Sequence, residues 1–336
     1  MLLLNWLKAF RLRSRVKSEE KDNKSRRKKR RLKLTRLEER RVMDAQFGFD
    51  VGLTTLTLDT FSETANEQLD VSSNALNFIF TLSEGTWSLG AGLPGGVAGG
   101  TDTLTVPKTI FDPSAGDTIA IDLTNVAPVT QSGSLQVETL TVTNAVSVTL
   151  NDAANDLDTV SIASTGDVSL QDVDGLSITG LSSSAGMISV TTGAAFSVDG
   201  NVTADGSVTL TATDDASDGG AADDDITVSA GFTVSSATAG VTLNAGDNFT
   251  LAAGSTLSAS AAGQTVTINI DSGDADAGTG ATASLQGGTI TSNVAATVNG
   301  AGDADTFNVT GATAANLLGG GGADIFDIDF TLTGSI

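Results

Sequence analysis

From about residue 131 to its end, the sequence repeats short segments in which apolar and polar side chains alternate. Val, Ile, Leu or Ala occupies every second position and Thr or Ser lies between them, as in VSVTL (146–150) and VTINI (266–270). Gly, Asp, Asn and Ser fill the gaps, and the next segment begins about 8–12 residues later through much of this stretch. Period-two alternation bounded by turn-forming residues predicts a long series of short β-strands.

Such a series fits a parallel β-helix, also called a β-solenoid, or an array of β-sandwiches. The stretch from residue 131 onward contains six Phe and no Trp or Tyr. A sandwich uses bulky aromatic side chains to fill a layer about 10 Å thick, whereas stacked Val, Ile, Leu and Ala fill a narrow interior. We therefore predict an all-β solenoid, with the sandwich array as the alternative.

Charge divides the chain into two parts. Residues 1–45 hold 17 of the 18 Lys and Arg and six acidic residues, a net charge of +11. Residues 46–336 hold one basic residue, Lys108, and 34 acidic residues, a net charge of −33. We expect a disordered or partly helical basic arm, and an acidic body that repels nucleic acid.

The end of the arm, RRLKLTRLEERRVMDA (30–45), resembles the N-terminal export segment of large planctomycete extracellular proteins, in which a basic run precedes a Leu-Glu-x-Arg-Arg-type core. The residues that fit this core are Leu37, Glu38, Arg40, Arg41, Val42, Met43 and Ala45. The resemblance implies a secreted or cell-surface protein. No run of 18 apolar residues is present, so we expect no transmembrane segment.

A second resemblance concerns the strand-forming region. Residues 229–263 are similar to repeats of filamentous-haemagglutinin-like adhesins, with Gly-x-Val-Thr-Leu-x-Ala-Gly steps followed by Phe or Leu. The residues that fit are Gly240, Val241, Leu243, Ala245, Gly246, Phe249 and Leu251. The resemblance implies a right-handed β-helix and an adhesive role.

The sharpest motif is GGGGADIFD (319–327), which resembles the haemolysin-type calcium repeat G-G-x-G-x-D-x-U-x. In that family, turn carbonyls and the Asp carboxylate bind Ca²⁺, which prefers six to eight oxygen ligands. NGAGDADTF (299–307) is a degraded copy whose Asp lies 19 residues earlier. The resemblance implies calcium as a ligand, and the candidate metal-site residues are Gly319, Gly320, Gly322, Asp324, Gly300, Asp303 and Asp305.

Other acidic clusters are less specific. Each is interpreted first as a solvated turn in which Asp accepts hydrogen bonds from nearby backbone, and second as a loose divalent-ion site. The members are Asp214, Asp215, Asp218, Asp223, Asp224, Asp225, Asp271, Asp274, Asp276, Asp152, Asp156 and Asp158.

These observations divide the chain into four regions. The first is a basic export or targeting arm, and the second is a β region that could cap the solenoid. In the second, Trp87, Phe78 and Phe80 are predicted to form a small core rather than a ligand platform. An Asp/Thr/Gly-rich solenoid and a calcium-repeat region that could be truncated follow. The predicted ranges are 1–46, 47–130, 131–298 and 299–336.

Composition limits the chemistry of the body, which contains no His, Cys, Tyr or Arg. It lacks the commonest general base near neutral pH, thiol chemistry and bidentate anion capture. We predict no catalytic residues and a non-enzymatic structural or adhesin-like protein. One alternative is a calcium-dependent binding module that folds on calcium uptake after export. The least favoured is a β-helix carbohydrate-active enzyme, because a Trp- or Tyr-lined sugar groove cannot be built from this composition.

Expected partners follow from the same features. They are calcium ions, other surface proteins or cell-envelope polymers, and a second copy joined end to end. The last expectation comes from the strand-like sequence at the end of the chain, because an open solenoid end exposes unpaired backbone.

Overall fold

The computed structural model describes residues 44–49, 55–60, 68–88, 101–111, 116–123, 127–215, 223–273, 275, 278–311 and 315–329. These residues form 29 strands and one short 3-10 helix, and they contain no α-helix. None of them forms a helix with the length and apolar character that crossing a membrane requires. The expectations for residues 1–43 lie outside this part of the chain.

The first strands pair partly in antiparallel fashion. β1 runs antiparallel to β2 and parallel to β5, and β4 lies between β3 and β6 in an antiparallel sheet. The 3-10 helix Lys108–Ile110 follows β6. The bounds are β1 Asp44–Phe49, β2 Thr55–Thr60, β3 Leu69–Ser73, β4 Asn77–Leu82, β5 Thr86–Ser88 and β6 Thr103–Pro107.

Aromatic side chains fill the interior of this antiparallel region. Trp87 is 1% exposed, and its indole N–H donates to the carbonyls of Phe80 (3.1 Å) and Asp102 (2.9 Å). Phe78 packs edge-on against Phe111, with ring centroids 5.5 Å apart. The prediction of a small aromatic core is confirmed.

From β7 onward, the strand pairings are parallel and the chain winds into coils. One sheet, called sheet B, continues from β3 through β8 and then takes one strand from each coil. Its later members are β8 Val129–Gln131, β10 Val148–Leu150, β12 Val168–Gln171, β14 Ile188–Thr192, β17 Val208–Ala212, β20 Val241–Asn244, β23 Val266–Asn269, β26 Ala296–Asn299 and β28 Ala315–Leu318.

The other sheet, sheet A, begins with long strands and then divides. β15 pairs with the first half of β13 and β16 with its second half, so each later coil can contribute two strands. The first file, A1, comprises the first halves of β9 Gln136–Ala145, β11 Asp156–Ser164 and β13 Leu176–Ser183, then β15 Phe196–Val198, β18 Ile226–Val228, β21 Phe249–Leu251, β24 Thr282–Gln286, β27 Thr306–Thr310 and β29 Ile325–Asp329. The second file, A2, continues through β16 Val202–Ala204, β19 Thr233–Ser236, β22 Thr256–Ala259 and β25 Thr289–Ser292. At the beginning of sheet A, β7 Thr118–Leu123 lies between β2 and β9 and pairs with both.

Inward side chains form columns because the parallel register places like residues above one another. In sheet B, Val148, Val168, Ile188 and Val208 are consecutive partners and are all buried. In file A1, Phe307 lies over Ala283 and under Phe326, with its ring 4.8 Å from that of Phe326. The predicted all-β solenoid with an aliphatic interior is confirmed.

Coil length varies although the register is kept. Core partners Val148, Val168 and Ile188 lie 20 residues apart, whereas Val208 and Val241 are 33 apart. In the sequence, the added residues fall between one strand and the next, as between β17 Val208–Ala212 and β18 Ile226–Val228. The inward columns therefore continue past these additions.

Candidate metal site and acidic corner

The candidate calcium residues lie at one corner of the solenoid, between each strand of sheet B and the next strand of file A1. We call this turn the B–A1 corner. Its last two examples, 300–305 and 319–324, stack directly. The backbone N–H of Gly300 donates to Leu318 O (2.7 Å), that of Gly321 to Ala301 O (2.8 Å), and that of Ile325 to Asp305 O (2.8 Å). The structure thus brings the seven predicted metal-site residues into two adjoining turns.

Glycine is required where these turns touch. Gly320 and Gly322 have φ angles of +82° and +80°, in the left-handed region that favours glycine. A Cβ at Gly320 would lie 2.1 Å from Ala301 O, and one at Gly322 would lie 2.2 Å from Asp303 O. A side chain at either position would therefore push the two turns apart.

Asp305 and Asp324 link one coil to the preceding one. Asp324 Oδ1 accepts the backbone N–H of Asp305 (3.1 Å), and Asp305 Oδ1 accepts that of Ala281 (2.8 Å). The second carboxylate oxygen of Asp305 accepts the N–H of Ala301 (3.1 Å). Burial raises the pKa of Asp305, backbone hydrogen bonds partly offset the rise, and the charges of Asp324 and Asp303 add to it.

The oxygen donors of these turns suit a hard cation, but their roles differ. Asp305 is fully buried, and both of its oxygens accept backbone N–H groups. Asp303 and Asp324 are half-buried, and Asp303 Oδ2 accepts the N–H of Gly278 (2.5 Å). Within the described ranges, no three or more acidic, His or Cys side chains are arranged to hold a metal ion. A calcium ion here would depend on backbone carbonyls together with Asp303 and Asp324.

The same corner carries buried polar side chains along most of the solenoid, a feature that the sequence analysis missed. The buried members are Asn155, Asp172, Asp224, Asp247, Asp271 and Asp305. Several accept a backbone N–H of the preceding coil: Asn155 Oδ1 from Leu135 (2.8 Å), Asp172 Oδ2 from Leu157 (2.9 Å) and Asp247 Oδ2 from Asp224 (3.2 Å). These side chains connect stacked coils.

The prediction of solvated turns is therefore wrong for two of the acidic residues. Asp224 and Asp271 are each 1% exposed, because neighbouring coils cover the corner. Asp152 does behave as expected, with Oδ1 accepting the N–H of Ala154 two residues later (3.0 Å). Asp218, Asp274 and Asp276 lie outside the described residues.

Burial at this corner strongly shifts the pKa of Asp172. Burial raises the pKa of Asp172 to about 7, although the backbone N–H groups of Asp174 and Leu157 partly oppose the rise. The neighbouring Asp174 raises it further. Asp172 therefore changes charge near neutral pH, which an ordinary Asp does not do.

A groove of about 440 Å³ lies on the outer face of file A1. Two acidic residues, Asp158 in β11 and Asp225 just before β18, line it together with the small residues Gly175 and Ala195. Ser177, Ser197 and Thr227 also line it. Sequence reasoning singled out Asp158 and Asp225 only as members of acidic clusters and did not place them together.

No protein-family model, curated protein or solved structure matches this chain. The likenesses of residues 229–263 to adhesin repeats and of residues 319–327 to calcium repeats therefore stay predictions. The export-type segment falls almost entirely before residue 44, outside the described residues. The solenoid itself follows from the parallel strand register.

Proposed function

We propose that the protein is a non-enzymatic extracellular or cell-surface scaffold of the adhesin type, whose last coils bind calcium. The observation that carries the proposal is the stacking of turns 300–305 and 319–324 at a spacing of 19 residues. Asp324 accepts the N–H of Asp305, and Gly320 and Gly322 adopt left-handed conformations. This geometry supports the resemblance of residues 319–327 to calcium repeats.

The outer face of sheet B supports the scaffold role. Its strands align one outward hydroxyl per coil, and these residues are Thr149, Ser169, Ser189, Thr209, Thr242, Thr267 and Thr297. Beside them, Asn269 Nδ2 donates to Asn244 Oδ1 (2.7 Å) and Asn299 Nδ2 to Asn269 Oδ1 (2.8 Å). A long polar face of this kind suits contact with an extended cell-envelope polymer or a second surface protein.

Calcium would be held by the carboxylates of Asp303 and Asp324 and by turn carbonyls beside Gly300 and Gly319. Bound there, the ion would supply positive charge between two negatively charged turns. Asp305 would shape the turn by accepting two backbone N–H groups. The proposal is favoured by the net charge of −33 on residues 46–336, because self-repulsion destabilises a compact acidic chain until counter-ions gather.

A second candidate is a binding module that folds only when calcium arrives after export. The buried carboxylates of the B–A1 corner favour it, since charges at Asp224, Asp247 and Asp271 must be accommodated when the coils close. The two candidates differ in the state without calcium, which is a folded scaffold in the first and a largely unfolded chain in the second.

Circular dichroism and thermal melting of the full chain, with calcium and with chelator, test the proposal. We expect calcium to raise the melting temperature, and Asp324→Asn to reduce that gain. Asp205→Asn, which removes one charge at the corner between A2 and sheet B, should leave the gain unchanged. Identical melting curves with calcium and chelator would exclude calcium, and an unfolded chelated chain would favour the second candidate.

A further inference from the structure

The groove on file A1 is lined by residues in or just before four neighbouring strands, β11, β13, β15 and β18. Asp158, the third residue of β11, lies at one end of the groove, and Asp225, which directly precedes β18, lies at the other. The residues that directly precede the two strands between them are small, Gly175 before β13 and Ala195 before β15. β11, β13, β15 and β18 are consecutive neighbours, so the two acidic residues lie about three strand spacings, or roughly 14 Å, apart. The result is a notch with a carboxylate at each end.

The floor of the notch presents hydrogen-bond acceptors. Ser177 donates its hydroxyl proton to Asp199 Oδ2 (2.9 Å), and Ser197 donates to the same oxygen. The other oxygen of Asp199 accepts from Ser229 (2.6 Å). Because each hydroxyl proton is used in a hydrogen bond to Asp199, the oxygens of Ser177 and Ser197 can act only as hydrogen-bond acceptors toward a ligand in the groove.

Asp199 is a good hydrogen-bond acceptor for these serine hydroxyls. Burial alone would raise the pKa of Asp199, but hydrogen bonds from Ser197, Ser229 and Ser177 outweigh that effect and lower the pKa. Asp199 therefore stays ionised and acts as an acceptor from these hydroxyls at neutral pH. The serine orientation is fixed independently of any ligand.

The two end carboxylates can still accept hydrogen bonds. Asp158 is exposed and, among the described residues, makes no side-chain hydrogen bond. Asp225 Oδ1 accepts the N–H and the side-chain amide of Asn248, both at 2.9 Å, and its second oxygen remains able to accept. Burial raises the pKa of Asp225, the two bonds from Asn248 lower it, and the charge of Asp223 raises it. A cation beside Asp225 would reduce the cost of keeping it charged.

We propose that this notch binds an organic ligand carrying two primary ammonium groups, one at Asp158 and one at Asp225. An ammonium group brings three donors and no acceptor, which matches a site that offers carboxylates and serine lone pairs. The hydroxyl-lined floor accommodates the chain between the two groups. A diamine or an oligomer of amino sugars has this chemistry, and the site is separate from the calcium turns.

Calorimetric titration of the full chain in chelator, with α,ω-diamines of increasing length and with an amino-sugar oligomer, tests the proposal. We expect affinity to peak at a diamine length that spans the notch and to exceed that of a monoamine of equal length. Asp158→Asn and Asp225→Asn should each weaken binding about two- to fivefold, the range expected for loss of one partly exposed ion pair. If an amino-sugar oligomer binds and the same two substitutions weaken its binding, the natural ligand is a saccharide. If only the diamines bind, the natural ligand is a small polyamine.

The matched control is Asp205→Asn, which removes the same charge at another corner. It should change affinity less than twofold. Equal effects of Asp205→Asn and Asp158→Asn, or affinity that does not depend on diamine length, would overturn the proposal, because general attraction to an acidic surface would then explain the binding. Asp158 is exposed, so its substitution tests the site without disturbing the coil.

Discussion

Asn155 and Asp172 make the same hydrogen bond one coil apart. Asn155 Oδ1 accepts the backbone N–H of Leu135 at 2.8 Å, and Asp172 Oδ2 accepts that of Leu157 at 2.9 Å. An amide and a carboxylate thus serve one structural role at successive B–A1 corners. They differ in charge, and that difference has a measurable consequence.

Asp172→Asn is expected to stabilise the fold at alkaline pH. The folded-state pKa of Asp172, about 7, lies above its ordinary value of 3.8, so protonation favours the folded chain. That stability is fully present below about pH 4 and is lost as pH rises through 7. At pH 8 the substitution should add about 1–2 kcal/mol to the free energy of unfolding, after allowance for solvent screening, and at pH 4 it should change little.

Denaturant unfolding at pH 4 and pH 8 measures this difference. Asp205→Asn controls for the general relief of self-repulsion in an acidic body. Equal stabilisation by both substitutions at pH 8 would assign the effect to net charge instead of to burial at Asp172.

Gly320→Ala should destabilise the last coil more than Gly231→Ala destabilises its own turn. Both glycines have positive φ, +82° and +85°, so each substitution carries a backbone cost of about 1 kcal/mol. A Cβ at Gly320 would lie 2.1 Å from Ala301 O, whereas one at Gly231 would meet nothing within 4 Å. We expect an additional 1–3 kcal/mol, roughly, at Gly320.

Hydrogen exchange of residues 315–329 for the first variant, and of residues 226–236 for the second, reports the local cost. Similar losses of protection in the two variants would mean that contact between turns 300–305 and 319–324 contributes little.

Asn269→Ala should destabilise sheet B because it removes two bonds of a side-chain ladder. Asn269 donates to Asn244 and accepts from Asn299, and Asn244 in turn donates to Thr211 (3.1 Å). Loss of both bonds should cost about 1–2 kcal/mol at this half-buried position. Thr267→Ala, two residues earlier on the same outward face of β23, should lower the free energy of unfolding by less than half as much. Equal costs in thermal or urea unfolding would show that the ladder adds no stability beyond that of an ordinary outward side chain.

Trypsin should leave the body of the folded protein intact. Lys108 is the only Lys or Arg after residue 45. Its Nζ donates to Gln136 O (3.3 Å) and lies 4.8 Å from the ring centroid of Phe78, which fixes this side chain against neighbouring strands. Mass spectrometry of the digest should show one large fragment under native conditions and cleavage at Lys108 only in denaturant. Rapid native cleavage at Lys108 would mean that this segment opens readily.

Much of the fold could be predicted from residue alternation. The predicted strand segments 146–150 and 266–270 contain β10 and β23, because Val, Ile or Leu alternates there with Ser, Thr or Asn without interruption. The division of sheet A into two files could not be predicted, because it depends on how β15 and β16 share the length of β13.

The burial of carboxylates at the B–A1 corner was not predicted, although the alternation of residues along the chain indicates it. Asp224, Asp247, Asp305 and Asp324 each stand two residues before an inward apolar side chain. In a strand, residues two apart face the same side, so these carboxylates point inward with the core column. Sequence reasoning interpreted Asp224 as part of a solvated turn and Asp305 and Asp324 as candidate metal-site residues, and it did not single out Asp247. Burial of a charge is costly unless the charge is hydrogen-bonded. The N–H groups of the preceding coil, which offset that cost, become visible only in three dimensions.

From β9 onward, the spacing between core partners ranges from 18 residues, for Val160 and Ile178, to 34, for Phe249 and Ala283, without a break in pairing. A gene for such a protein can therefore acquire or discard loops by small duplications and deletions at the corners, while selection on the interior stays nearly constant. The same tolerance recommends these corners as insertion points for foreign peptides, such as epitopes displayed at successive coils of the solenoid.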